Sequence, residues 1–200
     1  VMRKLLINVN KGGMTFVNDR VTGEFISAWP VAKNLNWIQG VTETGELVGR
    51  NEPEVGKTKV ICPGIAGGRS WNQAAYSPRT NWYYTTGTEW CQEVTAQKDE
   101  PREGKEYFGG IFKMIHPPKE KAHGHLGAYD PLTGKQHWVY KSKYPILSSV
   151  LATAGDVIFA GDPDGYFLAF DAKTGEKLWN FQTGSGHRGS SVSYSVNGRQ

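Results

Sequence analysis

The sequence predicts an all-β protein made of repeated small antiparallel sheets. The segment "AYDPLTGKQHW" at 128–138 returns as "AFDAKTGEKLW" at 169–179, with tryptophan at the same offset each time, and such a period indicates a repeat architecture. The 200 residues include 25 glycines, 10 prolines, 7 tryptophans and 9 tyrosines, a mixture that favours short strands over helices. No stretch has the spacing of an amphipathic helix, and none is apolar for long enough to span a membrane.

The stretch between the two copies has the pattern of a hairpin. The strand-like runs "VIFAG" and "YFLAF" flank the turn "DPDG" at 162–165, which is typical of two antiparallel strands. The segment "DAKTG" at 171–175 predicts a second turn, because aspartate supplies side-chain acceptors and glycine allows a positive φ. A third strand, "EKLWNFQ", follows. One repeat is therefore several antiparallel strands joined by tight turns.

The N-terminal part of the chain fits the same template. Its segment "LLINVNKGGMTFVNDRVTGEFISAW" aligns without gaps on "VIFAGDPDGYFLAFDAKTGEKLWNF", although Ser27 stands at the tryptophan position. A further strand pair is predicted in "AAYSPRTNWYYTTG" at 74–87. Together these repeats predict three to four four-stranded sheets. The alignment places Gly13 on Gly165, Asp19 on Asp171 and Gly23 on Gly175.

Repeated small sheets with one tryptophan and one glycine each are typical of the blades of a β-propeller. Trp138 and Trp179 are the predicted docking residues, each lying flat between neighbouring blades and burying on the order of 150–250 Å². Glycine on the facing turn would let the backbone approach the ring. A β-sandwich with similar hairpins is the alternative.

The charge of the chain argues against one class of partner, and its ends indicate how the segment relates to a longer protein. The formal net charge is only +4, and basic residues are interspersed with acidic ones, as in "QKDEPREGKE" at 97–106, so a nucleic-acid partner is not expected. The first residues lack the pattern of a signal peptide, and the final "SYSVNGRQ" reads as a strand, a turn and the start of another strand. We therefore expect this chain to be a segment of a longer protein.

Three motifs resemble the pyrroloquinoline quinone (PQQ)-dependent, or quinoprotein, alcohol dehydrogenases. They are the docking repeats with the stretch "SSVLATAGDVIFAGDPDGYFLAFDAKTGEKLWNFQTGSG", the segment "CPGIAGGRSWNQAAYSP" at 62–78, and the N-terminal "LLINVNKGGMTFVNDRVTGE". The resemblance implies that residues 1–200 form part of an eight-bladed propeller, from the C-terminal half of the family's chain. A charged segment at 92–123, with glycine and proline, is predicted to be a loop insertion within that domain.

The resemblance also implies an activity. Members of that family are periplasmic enzymes that oxidise alcohols to aldehydes with PQQ and a bound Ca²⁺ or lanthanide, and they pass electrons to a c-type cytochrome. The expected partners are a small alcohol substrate and that cytochrome, with membrane association only through a partner. Two alternatives remain open: a non-catalytic propeller scaffold that binds proteins through its loops, as in outer-membrane assembly, and an enzyme acting on sugars or polyols.

The resemblance assigns four cofactor-binding candidates. Lys11 lies in the first hairpin turn, where the family has an arginine or lysine that reaches the quinone oxygens. Ser70 stands where the family often has a donating asparagine, beside Trp71, and Asn72 is displaced from that position by two residues. The alternatives are a solvated turn lysine and a buried tryptophan with polar loop neighbours. Leu147 replaces a tryptophan that lines the cofactor chamber in many members.

Cys62 and Cys91 are the only cysteines, at the spacing of a disulfide in relatives. Such a bridge would be consistent with an oxidising compartment, whereas two free buried thiols are the alternative. The histidines match no standard zinc pattern, so no metal ligand is predicted in this segment. The Ca²⁺ ligands, the catalytic aspartate and the tryptophan that stacks under PQQ have no counterpart here. We expect no catalytic residue in the segment, and no activity from it alone.

Overall fold

The computed structural model describes residues 3–200 and confirms the all-β class. Within that range the chain forms sixteen strands and no helix, so no helix is long and apolar enough to cross a membrane. The strands are β1 (Leu5–Val9), β2 (Met14–Asp19), β3 (Phe25–Pro30), β4 (Gly40–Val41), β5 (Leu47–Val48), β6 (Thr58–Ile61), β7 (Ala75–Ser77), β8 (Trp82–Glu89), β9 (Cys91–Ala96), β10 (Gly110–Ile115), β11 (His123–Tyr129), β12 (Gln136–Ser142), β13 (Leu151–Ala152), β14 (Val157–Gly161), β15 (Tyr166–Asp171) and β16 (Lys177–Gln182).

The strands are divided between two compact units. The first unit comprises the chain as far as Arg69 together with Thr88–Ala122. It contains the three-stranded sheets β1-β2-β3 and β10-β9-β6 and the short pair β4-β5. The second unit comprises Ser70–Gly87 and His123–Gln200, with the four-stranded sheets β12-β11-β8-β7 and β13-β14-β15-β16. The predicted four strands per sheet are thus found in two sheets, and two others have three.

The predicted repeats share one register. In each, an antiparallel hairpin contains an irregularity one residue before the aspartate that begins the turn. That aspartate accepts hydrogen bonds on Oδ1 from the two backbone N–H groups that lie two and three residues further on. The turn closes on a glycine in the left-handed region, which other residues adopt only with strain. The cross-strand partners are Ser27 with Val17, Trp138 with Ala128 and Trp179 with Ala169.

The turn hydrogen bonds lower the pKa values of these aspartates. In Asp171, the backbone N–H of Thr174 is the main cause and outweighs desolvation. In Asp19, the N–H groups of Val21 and Thr22 lower the pKa. Burial alone would raise the pKa of Asp130, but the hydrogen bonds from its turn outweigh that effect. Each turn therefore favours the ionised carboxylate.

This predicts acid sensitivity. Because the pKa is lower in the folded state, the stabilisation is complete above the unfolded-state pKa of about 4 and is lost as the pH falls through the folded value. Asp171→Asn keeps an oxygen acceptor for the turn but does not titrate there. We expect its unfolding free energy to fall less than that of the wild type between neutral pH and pH values below about 4, measured by urea unfolding across pH. An equal decrease in the free energy of unfolding of the wild type and of Asp171→Asn would contradict this prediction.

Trp138 packs between the two sheets of the second unit. It is 8% exposed, and its Nε1–H donates to the carbonyl of Ala172 at 2.9 Å. A Cβ added to Gly175 would lie 2.5 Å from the ring, so only glycine permits this approach. Tyr84 also donates to Ala172 O, at 3.1 Å. The core of the unit forms around these contacts.

Trp179 differs from Trp138. It is 49% exposed. Both tryptophans lie on an outermost strand, β12 and β16, but Trp138 is covered by the Gly175 turn of the other sheet, whereas Trp179 belongs to the same sheet as that turn. Its ring is parallel to that of Phe181, with centroids 6.0 Å apart, and meets Phe167 edge-on. Within the second unit, the predicted docking between sheets is therefore observed for Trp138 and not for Trp179.

The segment at 92–123 is more regular than a loop insertion. It contains most of β9 and all of β10, which pair antiparallel from Cys91 with Ile115 to Ala96 with Gly110. Charged residues with proline and glycine are concentrated between these strands, at 97–109, whereas the flanks carry the β-branched and apolar residues that favour strands. The irregular parts are thus confined to 97–109 and 116–122.

Candidate functional site

Lys11 is presented by the tight turn between β1 and β2. The N–H of Gly13 donates to the carbonyl of Asn10 at 3.1 Å, and Gly13 has a φ of +76°. The Lys11 side chain is exposed, and its Nζ donates to the carbonyl of Ile65 at 3.0 Å. Among residues 3–200 no carboxylate pairs with this ammonium group. Lys11 is therefore a positioned cation with donor capacity left for an anionic ligand.

A loop at 62–68 supports the Lys11 turn. The predicted disulfide is confirmed: Cys62 and Cys91 are bonded, with their Cα atoms 4.4 Å apart. Gly68 N–H donates to Lys11 O at 2.8 Å, and a Cβ on Gly68 would lie 2.6 Å from the Cα of Gly13. The backbone of the loop and the backbone of the turn thus approach closely at Gly68 and Gly13, because neither residue has a side chain. The loop is fastened at one end by the disulfide and at the other to the turn.

Ser70, Trp71 and Asn72 belong to the second unit, whereas Lys11 belongs to the first. Ser70 is half-buried, Trp71 is 67% exposed and Asn72 is 3% exposed. The Nδ2 group of Asn72 donates to Thr86 Oγ1 and, at 3.1 Å, to Ser148 O. Since both amide hydrogens have protein acceptors, a hydrogen bond from this amide to a cofactor requires the release of one. Ser70 and Trp71 are the accessible members of the three.

A buried polar cluster surrounds Asn72. Ser148 Oγ donates to Gly161 O at 2.7 Å and accepts from Gly161 N–H at 2.8 Å. Ser149 Oγ accepts from the N–H of Gln73 at 2.9 Å and lies 2.9 Å from Ser190 Oγ. Sequence reasoning did not single out these serines. The available signal was a pair of polar residues in the apolar run "ILSSVLA", directly after Leu147, which is half-buried.

The histidines take local structural contacts. His137 stacks on Trp82 with centroids 3.8 Å apart. His187 lies 3.0 Å from Thr183 Oγ1 through Nε2, and its ring covers Gly161. Among the residues that the structure describes, no three histidine, cysteine, aspartate or glutamate side chains are grouped as a metal site requires. The first unit therefore offers a cation at Lys11, and the second unit offers hydrogen-bonding groups at Ser70 and Trp71, for a ligand.

Comparison with known proteins gives two kinds of match. A family described as outer membrane protein assembly factor BamB matches residues 119–199. A quinoprotein ethanol dehydrogenase of Pseudomonas putida is 35% identical over 98% of this chain and 33% of its own length. A lupanine 17-hydroxylase [cytochrome c] of a Pseudomonas species is 36% identical over all of this chain and 29% of its own.

A solved structure agrees with these matches. A europium-containing methanol dehydrogenase superposes with a TM-score of 0.89 and 32% identity, over 95% of this chain and 34% of that protein. The chain thus spans about a third of the length of the relatives it matches.

Proposed function

This chain is a homologue of the quinoprotein alcohol dehydrogenases, and on that premise we propose that it forms part of a PQQ-dependent enzyme that oxidises alcohols to aldehydes. The observation that carries the proposal is the extent of the match. Relatives named as quinoprotein dehydrogenases align with 98% of the chain, including the Lys11 turn and the disulfide loop. The family described as an assembly factor aligns only with 119–199, the region of the docking repeats.

The scaffold alternative predicts a different pattern. A protein that used only its outer loops would need the docking repeats, but it would have no need of a fixed, unpaired cation above a disulfide-anchored loop. Lys11 and the loop at 62–68 have this arrangement. They favour the enzyme.

Each of the two units offers donors of a kind that fits PQQ. The cofactor is an anionic quinone that accepts two electrons from the alcohol, and it supplies the redox chemistry. Lys11 would hold a quinone oxygen and stabilise the negative charge that develops there. Ser70 would donate through its hydroxyl group and Trp71 would contribute an exposed ring and an indole N–H, whereas Asn72 would order the loop around Ser148 and donate to the cofactor after exchanging one bond.

The other groups that the reaction needs are proposed to lie outside this chain. The Ca²⁺ or lanthanide ion, its ligands and the catalytic aspartate would lie in the part of the enzyme that this chain does not cover. Electrons would pass to a c-type cytochrome. A periplasmic location is supported by the disulfide, because such bonds persist in oxidising compartments. A relative named with cytochrome c and a europium-containing neighbour support the acceptor and the metal class.

Lys11→Met tests the cofactor assignment. We expect PQQ to quench the tryptophan fluorescence of the enzyme that contains this chain, and the substitution to weaken binding on the order of tenfold to a hundredfold because it removes hydrogen bonds to a charged partner. Lys4→Met is the matched control, since Lys4 is an exposed lysine on the same hairpin but away from the turn. The enzyme containing this chain should oxidise short alcohols with a dye acceptor when PQQ and Ca²⁺ or a lanthanide are added.

Two results would overturn the proposal. One is equal affinity for PQQ in the wild type, Lys11→Met and Lys4→Met. The other is the absence of dye-linked oxidation of short alcohols or polyols by the complete enzyme with either metal, which would favour the scaffold.

A further inference from the structure

Glu89 is a buried carboxylate at the end of β8 that the proposed cofactor contacts do not use. It is 1% exposed. Its Oε1 accepts from Lys33 N–H at 2.7 Å, and its Oε2 accepts from Asn34 N–H at 2.9 Å and from Asn34 Nδ2 at 2.8 Å. Burying a carboxylate is costly unless such bonds compensate. Its two oxygens receive successive N–H groups, an arrangement that suits an anion and that an amide cannot fully reproduce.

The segment that Glu89 holds is attached to the Lys11 turn at both ends. We call residues 31–37 the arch. At its start, the N–H groups of Val31 and Ala32 donate to Gly13 O at 2.8 and 3.2 Å. At its end, Trp37 Nε1–H donates to Gly12 O at 2.8 Å, and a Cβ on Gly12 would lie 2.7 Å from the Trp37 ring. The arch thus donates hydrogen bonds to both glycines that follow Lys11. Glu89 binds the middle of the arch, at Lys33 and Asn34.

A second chain of hydrogen bonds connects the end of β8 to the Lys11 turn, through the disulfide loop. Thr88, the neighbour of Glu89, donates its N–H to Gly68 O at 2.8 Å, and Gly68 donates its N–H to Lys11 O at 2.8 Å. The end of β8 therefore contacts the Lys11 turn through the arch and through the disulfide loop. Both routes lie within the first unit.

We propose that Glu89 is a positioning residue for Lys11, which sets the place of the ammonium group that meets the cofactor; this rests on the proposed function. Glu89 touches no ligand itself. It acts by fixing the arch, and the arch fixes the backbone from Gly12 to Gly13. Loss of either carboxylate oxygen removes an acceptor from a partly buried N–H group, so the arch opens more often and the turn with it.

Glu89→Gln tests the link without any cofactor. Hydrogen exchange, followed by NMR, should accelerate about tenfold at the indole N–H of Trp37 and the amide of Gly68, and the amides of β2 should be unaffected. Glu93→Gln is the matched control, because it makes the same change at a surface residue that pairs with Lys113. Acceleration confined to Lys33 and Asn34 would overturn the proposal, since Glu89 would then order only its own contacts.

PQQ affinity tests whether Glu89 acts through Lys11. Glu89→Gln should weaken PQQ binding on the order of tenfold in the wild type and have little effect in the Lys11→Met background. An equal loss in both backgrounds would overturn the proposal, because a general structural defect does not require Lys11. Trp37→Phe keeps a ring over Gly12 but removes its hydrogen bond, and should give the same Lys11-dependent loss if Glu89→Gln does not fold.

The two proposals fail separately. Faster exchange at Trp37 and Gly68 without any PQQ binding by the wild type would support the positioning link and overturn the cofactor assignment. PQQ binding that depends on Lys11 but is unchanged by Glu89→Gln and Trp37→Phe would support the cofactor and overturn the positioning role.

Discussion

Trp138→Ala is expected to lower the free energy of unfolding by about 3–5 kcal/mol, the usual loss for a buried tryptophan. The ring packs between the two sheets of the second unit, on the bare backbone of Gly175, and its removal leaves a cavity that two sheets must share. The substitution also leaves the carbonyl of Ala172 without its indole donor. Urea unfolding followed by circular dichroism measures the loss.

Trp179→Ala is a matched control for that experiment. It changes the same residue type at the same position of the repeat, on a side chain that is already 49% exposed. Its loss should be clearly smaller than that of Trp138→Ala. Equal losses would show that the indole does not join the sheets of this unit, and would contradict the role given to the repeat.

Removal of the Cys62–Cys91 bridge is expected to cost about 3–4 kcal/mol, from the entropy of an unfolded chain that is no longer closed into a loop. The two cysteines are separated by 29 positions. The bridge also fixes the loop in which Gly64 donates its N–H to Trp90 O at 2.7 Å and Gly68 meets Lys11. The double variant Cys62→Ser/Cys91→Ser should therefore unfold at lower urea, and its Gly68 amide should exchange faster.

Reductant supplies the control for the disulfide. Dithiothreitol should lower the unfolding midpoint of the wild type toward that of the double serine variant and leave the variant itself unchanged. Equal midpoints for the oxidised wild type and the double variant would contradict the stabilising role of the bridge.

The parts of the fold that were predictable from sequence are those set by local chemistry. The turn from Asp171 to Gly175 specifies its own hydrogen bonds, because the aspartate reaches N–H groups within three residues and the glycine accepts a positive φ. The register of each hairpin follows from that turn, so Trp138 and Ser27 could be aligned from sequence alone. The disulfide was predicted from the resemblance to relatives.

The remaining features depend on contacts between distant segments. Glu89 acts on Lys33 and Asn34, more than fifty residues away, and a lone glutamate in "TGTEWCQ" gives no local sign of this. Ser148 meets Asn72 across a separation of 76 residues. In the sheet β10-β9-β6, β6 pairs with β9 although β7 and β8 lie between them in the sequence, and β9 pairs with β10 across the charged residues at 97–109.

The strand β16 has a consequence for handling the protein. All six of its residues are exposed, and Leu178, Trp179 and Phe181 are among them. No described strand lies beyond it in its sheet, so one row of its amide and carbonyl groups remains available to another extended chain. Association of two chains through the exposed edge of β16 would increase with protein concentration. Aggregation during storage would then depend on β16, even where the core around Trp138 resists unfolding.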